Sequence, residues 1–241
     1  MFLIAWIVRR LVVIALVIAI PAVAGELIAR KLVGDTVRNV VAARFGGSAK
    51  VSFGSTPLLW QLAHGQLDDV TVTEADASIG GLPPLSLTAN FEDVHVTDLI
   101  GLRGAIQTIE AEASLGPAAV RDLLATSACA GGLPDGIGAT LTAVPRVVIR
   151  PGHVSLLPPH GRSVELRLVP VAANGALSFD LVGVAEDGAG VSAATVSALG
   201  SHANCTRTIG GLPFKLRLTG ARATDGRLEL AFHGSGAQLQ E

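Results

Sequence analysis

The side chains able to do chemistry in this 241-residue chain are few and poorly placed for it. Six histidines (His64, His95, His153, His160, His202 and His233) fall one to a segment, none in an H-E-x-x-H or other metal-ligand spacing. No G-x-S-x-G elbow, phosphate-cradling loop or G-x-G-x-x-G follows a strand-like run. The acidic pair Asp68-Asp69 sits at a strand entrance, where a solvated turn accounts for it better than an acid/base dyad. Cys129 and Cys205 are the two cysteines, spaced wrongly for zinc and without a histidine beside either. In an oxidising compartment such a pair forms one disulfide, worth about 2–4 kcal/mol across so long a loop; two buried thiols are the alternative. The sequence therefore predicts no cofactor, no metal and no enzyme. A hydrolase assembled from distant residues stands as a remote third reading.

The first 25 residues bear on compartment. Arg9-Arg10 precede Leu11–Ala24, an uncharged apolar run, and Pro21-Ala22-Val23-Ala24 ends it on small residues in an A-x-A arrangement. These are the parts of a secretory signal. The run is also short for a bilayer span of about 20 residues. Eight apolar residues ahead of the arginines are unusual for a signal, so a retained anchor stays open beside cleavage. Either way the chain is expected to be exported to the periplasm or cell envelope, with residues 1–25 as signal peptide or N-terminal membrane anchor. Removing Met1–Ala24 takes away two arginines and no acid, moving the formal charge from −2 to −4. A mildly acidic domain has no footprint for nucleic acid, and no polybasic cluster to hold it on anionic lipid by charge alone.

The remaining elements read as one α+β domain over residues 26–241. Apolar residues make up 49% of the chain and charged ones only 16%, enough for a sizeable core. Ala29, Val33, Val37, Val40 and Val41 fall on one stripe of a helix spanning Glu26–Arg44, best read as packed on a sheet. Pro57 opens a short helical turn through Leu58, Leu59, Trp60 and Leu62, closed by Gly65. Within it, Trp60 is expected to be partly buried, with an interfacial anchor as the competing reading. Strand patterns follow in antiparallel order: Val70–Thr73; Leu85, Leu87, Ala89 and Phe91 alternating with polar residues; and Ile109 to Leu115. Pro117–Ala125 reads as a helix, Ser127–Gly138 as loop and Val191–Leu199 as a second short helix. Pro151-Gly152, Asn174-Gly175 and Asp225-Gly226 read as hairpin turns, the last joining a strand of Phe214, Leu216 and Leu218 to one of Leu228, Leu230 and Phe232. Gly-Gly-Leu-Pro recurs at 80–83, 131–134 and 210–213 without a fixed period, as a reused strand-entrance turn rather than a solenoid repeat. All these strands are expected to join one curved sheet.

Several of these landmarks come together in one pattern. Pro57-Leu58-Leu59 with Leu62 and Gly65, then Asp69-Val70-Thr71-Val72, its echo Asp93-Val94-His95-Val96, and Leu212-Pro213-Phe214 through Leu228 form it. Over Glu26–Gln238 the chain resembles the LmeA-like family of exported actinobacterial phospholipid-binding proteins. It departs from that family at Gly54-Ser55-Thr56-Pro57, where a Gly-Phe-Pro-Phe-like sequence is usual. The resemblance implies a tubular lipid-binding-like half barrel, a strongly curved antiparallel β-sheet wrapped around a long N-terminal helix. Between the two would lie an apolar tunnel for phospholipid, of phosphatidylinositol type by family likeness, serving envelope lipid or lipoglycan maintenance. The lipid contacts it suggests are Leu58, Leu59, Trp60 and Leu62 near an entrance, and Leu85, Leu87, Phe91, Phe214, Leu216 and Leu218 on inward strand positions. A monomer acting at a membrane surface is the expected form. The competing reading is a membrane-anchored structural or interaction module with an ordinary dry core.

Overall fold

The computed structural model describes residues 2–45, 48–98, 103–126, 146–157, 164–186, 189–192, 194, 196 and 205–239; side chains at 2–22, 44, 164, 186 and 205 are outside that description. The predicted loop 127–138, with Cys129 and the middle Gly-Gly-Leu-Pro, lies outside the described residues, as does most of the 191–199 helix.

Helix α1 (Phe2–Phe45) is longer than the Glu26–Arg44 stripe predicts, because it runs unbroken from the apolar N-terminal segment through Pro21 into that stripe. β1 (Lys50–Phe53) and helix α2 (Leu58–Ala63) follow, then the long strands β2 (Gln66–Ala77), β3 (Leu85–Asp98) and β4 (Arg103–Leu115). Helix α3 (Pro117–Thr126) has Pro117 in its first turn, where a missing N–H costs nothing. Beyond it come β5 (Arg146–Arg150), β6 (His153–Leu157), β7 (Val164–Ala173), β8 (Ala176–Glu186), β9 (Ala189–Gly190) and β10 (Cys205–Thr208). β11 (Arg217–Thr224) and β12 (Arg227–Gln238) close the chain.

Among the described residues these strands form two antiparallel sheets, not the single sheet expected. One has the order β1-β2-β3-β4-β12-β11 and the other β10-β8-β7-β6-β5, with β9 beside β8. The chain returns at its end to lay β12 against β4, so the last hairpin completes the first sheet. The second sheet then packs on β11. Two hairpin turns meet where they join: Gly152 N–H donates to Ala223 O at 2.9 Å, and Gly226 N–H to Ile149 O at 3.2 Å. The Asn174-Gly175 turn has positive φ at both residues (54° and 75°), the backbone that suits a right-twisted two-residue hairpin.

Register explains the core. Leu67, Val94, Ile106 and Ala237 lie in one row across four strands, and Val70, Phe91, Ile109 and Gly234 in another. All point to the buried face, while Ser86, Thr88, Asn90 and Glu92 alternate to the exposed one. Gly234 stands where a side chain would be expected because Phe214 O lies 2.9 Å from where its Cβ would be. Phe214 itself departs from the predicted strand. Pro213–Lys215 is a 3-10 turn with Phe214 at φ 56°, and β11 begins only at Arg217. The alternation was still sound as a burial pattern, since Phe214, Leu216 and Leu218 are all buried.

Candidate functional site

The C-terminal half of α1 lies over the buried face of the first sheet. Val33 and Val37 pack against the core at its margin, and Val41 is fully within it. Two arginines tie the helix down. Arg30 donates to the carbonyls of Gly54 and Thr56 at 3.3 Å each, and Arg38 to that of Ala49 at 3.1 Å. Between helix and sheet is a partly open hollow of about 60 Å³ with no polar lining. Val33, Val37, Val40 and Val41 form its helix wall; Leu67, Val70, Phe91, Val94, Val96 and Ile106 form its sheet wall; Phe214 and Leu239 close one side. Phe214 is locked there by an edge-on contact with Phe91, centroids 5.7 Å apart, and a tilted one with Phe45 at 6.1 Å.

Chemically this hollow can take only hydrocarbon. Its volume equals about two waters' share of liquid, whereas pockets for drug-sized ligands run to roughly 300–1,000 Å³. The space in the structure is thus a small groove between helix and sheet, not a tunnel. The valines on the helix wall are short, and widening the groove by moving α1 outward would strain the Arg30 and Arg38 contacts that tie the helix down.

Other hollows lie on the opposite face of the sheet. One of about 430 Å³ runs across Ser86, Thr88, Glu112 and the ion pair of Arg222 with Glu229, whose Nε and Oε2 are 2.6 Å apart. The other, about 440 Å³, is ringed by Asp68, Asp69, Thr71, Asn90, Glu92 and Asp93. Both are open and solvated, and Asp68-Asp69 sit exposed on β2 as strand-entrance residues. Among the described residues no cluster of three or more His, Cys, Asp or Glu could hold a metal ion.

Of the candidate lipid contacts, the structure brings only Phe91 and Phe214 to the groove. Leu85, Leu87, Leu216 and Leu218 are buried in the core beside it, and Leu58 is wholly buried under α2. Leu62 packs against the core. Leu59 and Trp60 face outward at 43% and 64% exposure, so Trp60 is not the partly buried core residue expected. A six-residue helix can bury one face only, and Leu58 and Gln61 take it. Gln61 is buried and fully used: Nε2 donates to Thr56 O at 3.0 Å, and Oε1 accepts from Asp68 N–H at 2.9 Å. The helix wall was visible in the sequence as a valine stripe, but nothing in that stripe distinguishes a groove lining from plain packing.

One carboxylate fixes α2 in place. Glu26 on α1 accepts Leu58 N–H at 2.7 Å and Leu59 N–H at 3.0 Å, and pairs with Arg30 at 2.6 Å. The Leu59 amide foremost, with Leu58 and Arg30, holds its carboxyl below the usual range against the opposing effect of burial. Glu74 is the opposite case. It is buried on β2 with neither carboxylate oxygen partnered among the described residues, and burial, then Asp76, pushes its pKa up.

Cys205 begins β10, paired with Phe179 of β8. Among the described residues no helix is long and apolar enough to cross a membrane. No curated protein and no solved structure matches the chain. A family model described as LmeA-like phospholipid-binding matches residues 24–233, which takes in α1 from Ala24, every groove-lining residue but Leu239, and β12 as far as His233. By that match over most of its length, the chain belongs to the LmeA-like phospholipid-binding family.

Proposed function

We propose that the protein is a non-enzymatic carrier or holder of phospholipid in the cell envelope. Acyl chains would occupy the groove between α1 and the first sheet, which would wrap around that helix as a half barrel. The observation that carries this reading is a groove without a single polar lining group in a chain of a phospholipid-binding family. Each acyl CH₂ moved there from water gains about 0.8 kcal/mol, so no charged clamp is needed. Loading displaces the valine face of α1, and the lipid's own methylenes replace the contacts given up. Export, with the apolar N-terminus cleaved or kept as an anchor, is supported by Leu11–Ala24 and its flanks. A phosphatidylinositol-type headgroup is the first to examine, on family likeness alone. One observation favours the alternative of an interaction module with a dry core: the groove is only about 60 Å³. Native mass spectrometry of protein purified from its own envelope separates the two. The carrier shows co-purifying phospholipid and moves it between vesicles; protein with no lipid adduct and no transfer is the module.

A further inference from the structure

Seven large apolar side chains are strongly exposed among the described residues, and six gather at one end of the molecule. Val23, Leu27, Ile28 and Leu32 lie on α1, while Leu59 and Trp60 lie on α2; only Val182 is elsewhere. The two helices are joined at this spot. Glu26 holds the first amides of α2, and Leu59 Cδ1 lies 3.3 Å from where a Cβ on Gly25 would be. Trp60 is exposed, its ring 4.4 Å from that of His64, whose Nδ1 is 2.8 Å from Trp60 O. Scattered exposed apolar residues need no explanation, but a cluster on one pinned corner does.

We propose that this corner is a docking surface for a phospholipid bilayer, with Leu59 and Trp60 seated at the depth of the headgroups. Continuity of the chain supplies the occupant. α1 carries the patch directly on from Leu11–Ala24, with no break in the helix. From Arg10 to Glu26 the helix rises about 24 Å, short of a hydrocarbon core of about 30 Å. A short apolar stretch draws its flanks toward the interface, and the flank here is the patch. Trp is suited to that depth, with an apolar ring and one N–H to place in the wet layer. Charge contributes little: Glu26 is matched by Arg30, and Lys31 is the one further basic residue among 23–32. Docking is therefore apolar and insensitive to salt. It also orients the molecule, because the Glu26 clasp fixes α2 relative to the helix wall of the groove.

This proposal rests on the reading of the chain as a lipid carrier at the envelope membrane with its apolar N-terminus kept as an anchor, but its test is separate. The full chain carrying Trp6→Phe leaves Trp60 as the sole tryptophan. It is reconstituted in phosphatidylcholine vesicles, plain or with acyl chains brominated near the headgroup or near their tips. Docking gives blue-shifted emission, quenched about two-fold by the shallow bromines, less by the deep ones, and unchanged by high salt. Adding Leu27→Gln and Ile28→Gln, both exposed and so harmless to folding, weakens the quenching. Emission typical of water with no quenching overturns the proposal. A blue shift that grows with protein concentration and is not quenched also overturns it, in favour of a second copy covering the face. Co-purified lipid without quenching defeats the docking surface alone. Quenching without co-purified lipid defeats the carrier reading and leaves the surface standing.

Discussion

Two glutamates on the same molecule respond to pH in opposite senses, and each makes its own forecast. Glu26 accepts two backbone amides and Arg30, so its carboxyl titrates below the ordinary range. Its contribution is present above the unfolded pKa and lost as pH falls through the lowered folded value. Glu26→Gln is expected to cost about 1 kcal/mol at neutral pH, the group being partly solvated, with the difference fading near pH 3 in thermal or urea melts. Glu74 has no hydrogen-bond partner among the described residues and its pKa is raised, so its stabilising proton is held below the unfolded pKa and lost as pH rises through the folded one. Glu74→Gln is expected to stabilise by about 1 kcal/mol at pH 7 and to change little near pH 4. An equal effect at both pH values would show that burial of the charge is not the cause. Trp60 illustrates the limit of reading single residues. A lone aromatic beside leucines is ordinarily half buried, and only the shortness of α2 turned it outward.

Elements were more legible than their partners. Helix α2, the long strands β3 and β4, helix α3 and the three hairpins follow from Pro at first turns, period-2 alternation and Asn-Gly or Asp-Gly turns. Such signals act within a few residues. Which strand lies beside which depends on contacts far apart in sequence, and the return of β12 to β4 and the split into two sheets had no local signature. The groove suffered the same limit: its sheet wall is residues that alternation marks merely as buried. The Gly-Gly-Leu-Pro turns show how a local motif gains meaning from a distant one. The first and last copies pack together, with Arg207 Nη2 donating to Gly81 O at 2.6 Å. Gly80 has φ 56°, and a Cβ there would come 2.6 Å from Ile209 Cγ2. Gly210, the same position in the last copy, has open space and no positive φ. Gly80→Ala is expected to destabilise by about 2 kcal/mol and Gly210→Ala by less than about 0.5 in chemical melts. Equal losses would mean that the two turns do not bear on each other as described.

At the scale of the whole molecule, the family sets the ligand class, and we propose that the groove gives it a place. A pair of cysteines fits the exported setting proposed above, and we propose that Cys129 and Cys205 are joined, tying the 127–138 segment to the edge strand β10. Unreduced protein from the envelope should then present no reactive thiol by mass-shift labelling; two labelled cysteines would refute the bond. The central claim is narrower: acyl chains lie between α1 and the first sheet. The most direct measurement uses a phospholipid with a photoreactive diazirine in one acyl chain, loaded on the full chain, irradiated and mapped by peptide mass spectrometry. The account predicts adducts at Val33, Val37, Val94 and Phe214, and their loss when Val37→Trp fills the groove. Adducts confined to the outer face, at Ser86, Thr88 or Glu112, or unchanged by Val37→Trp, would contradict it.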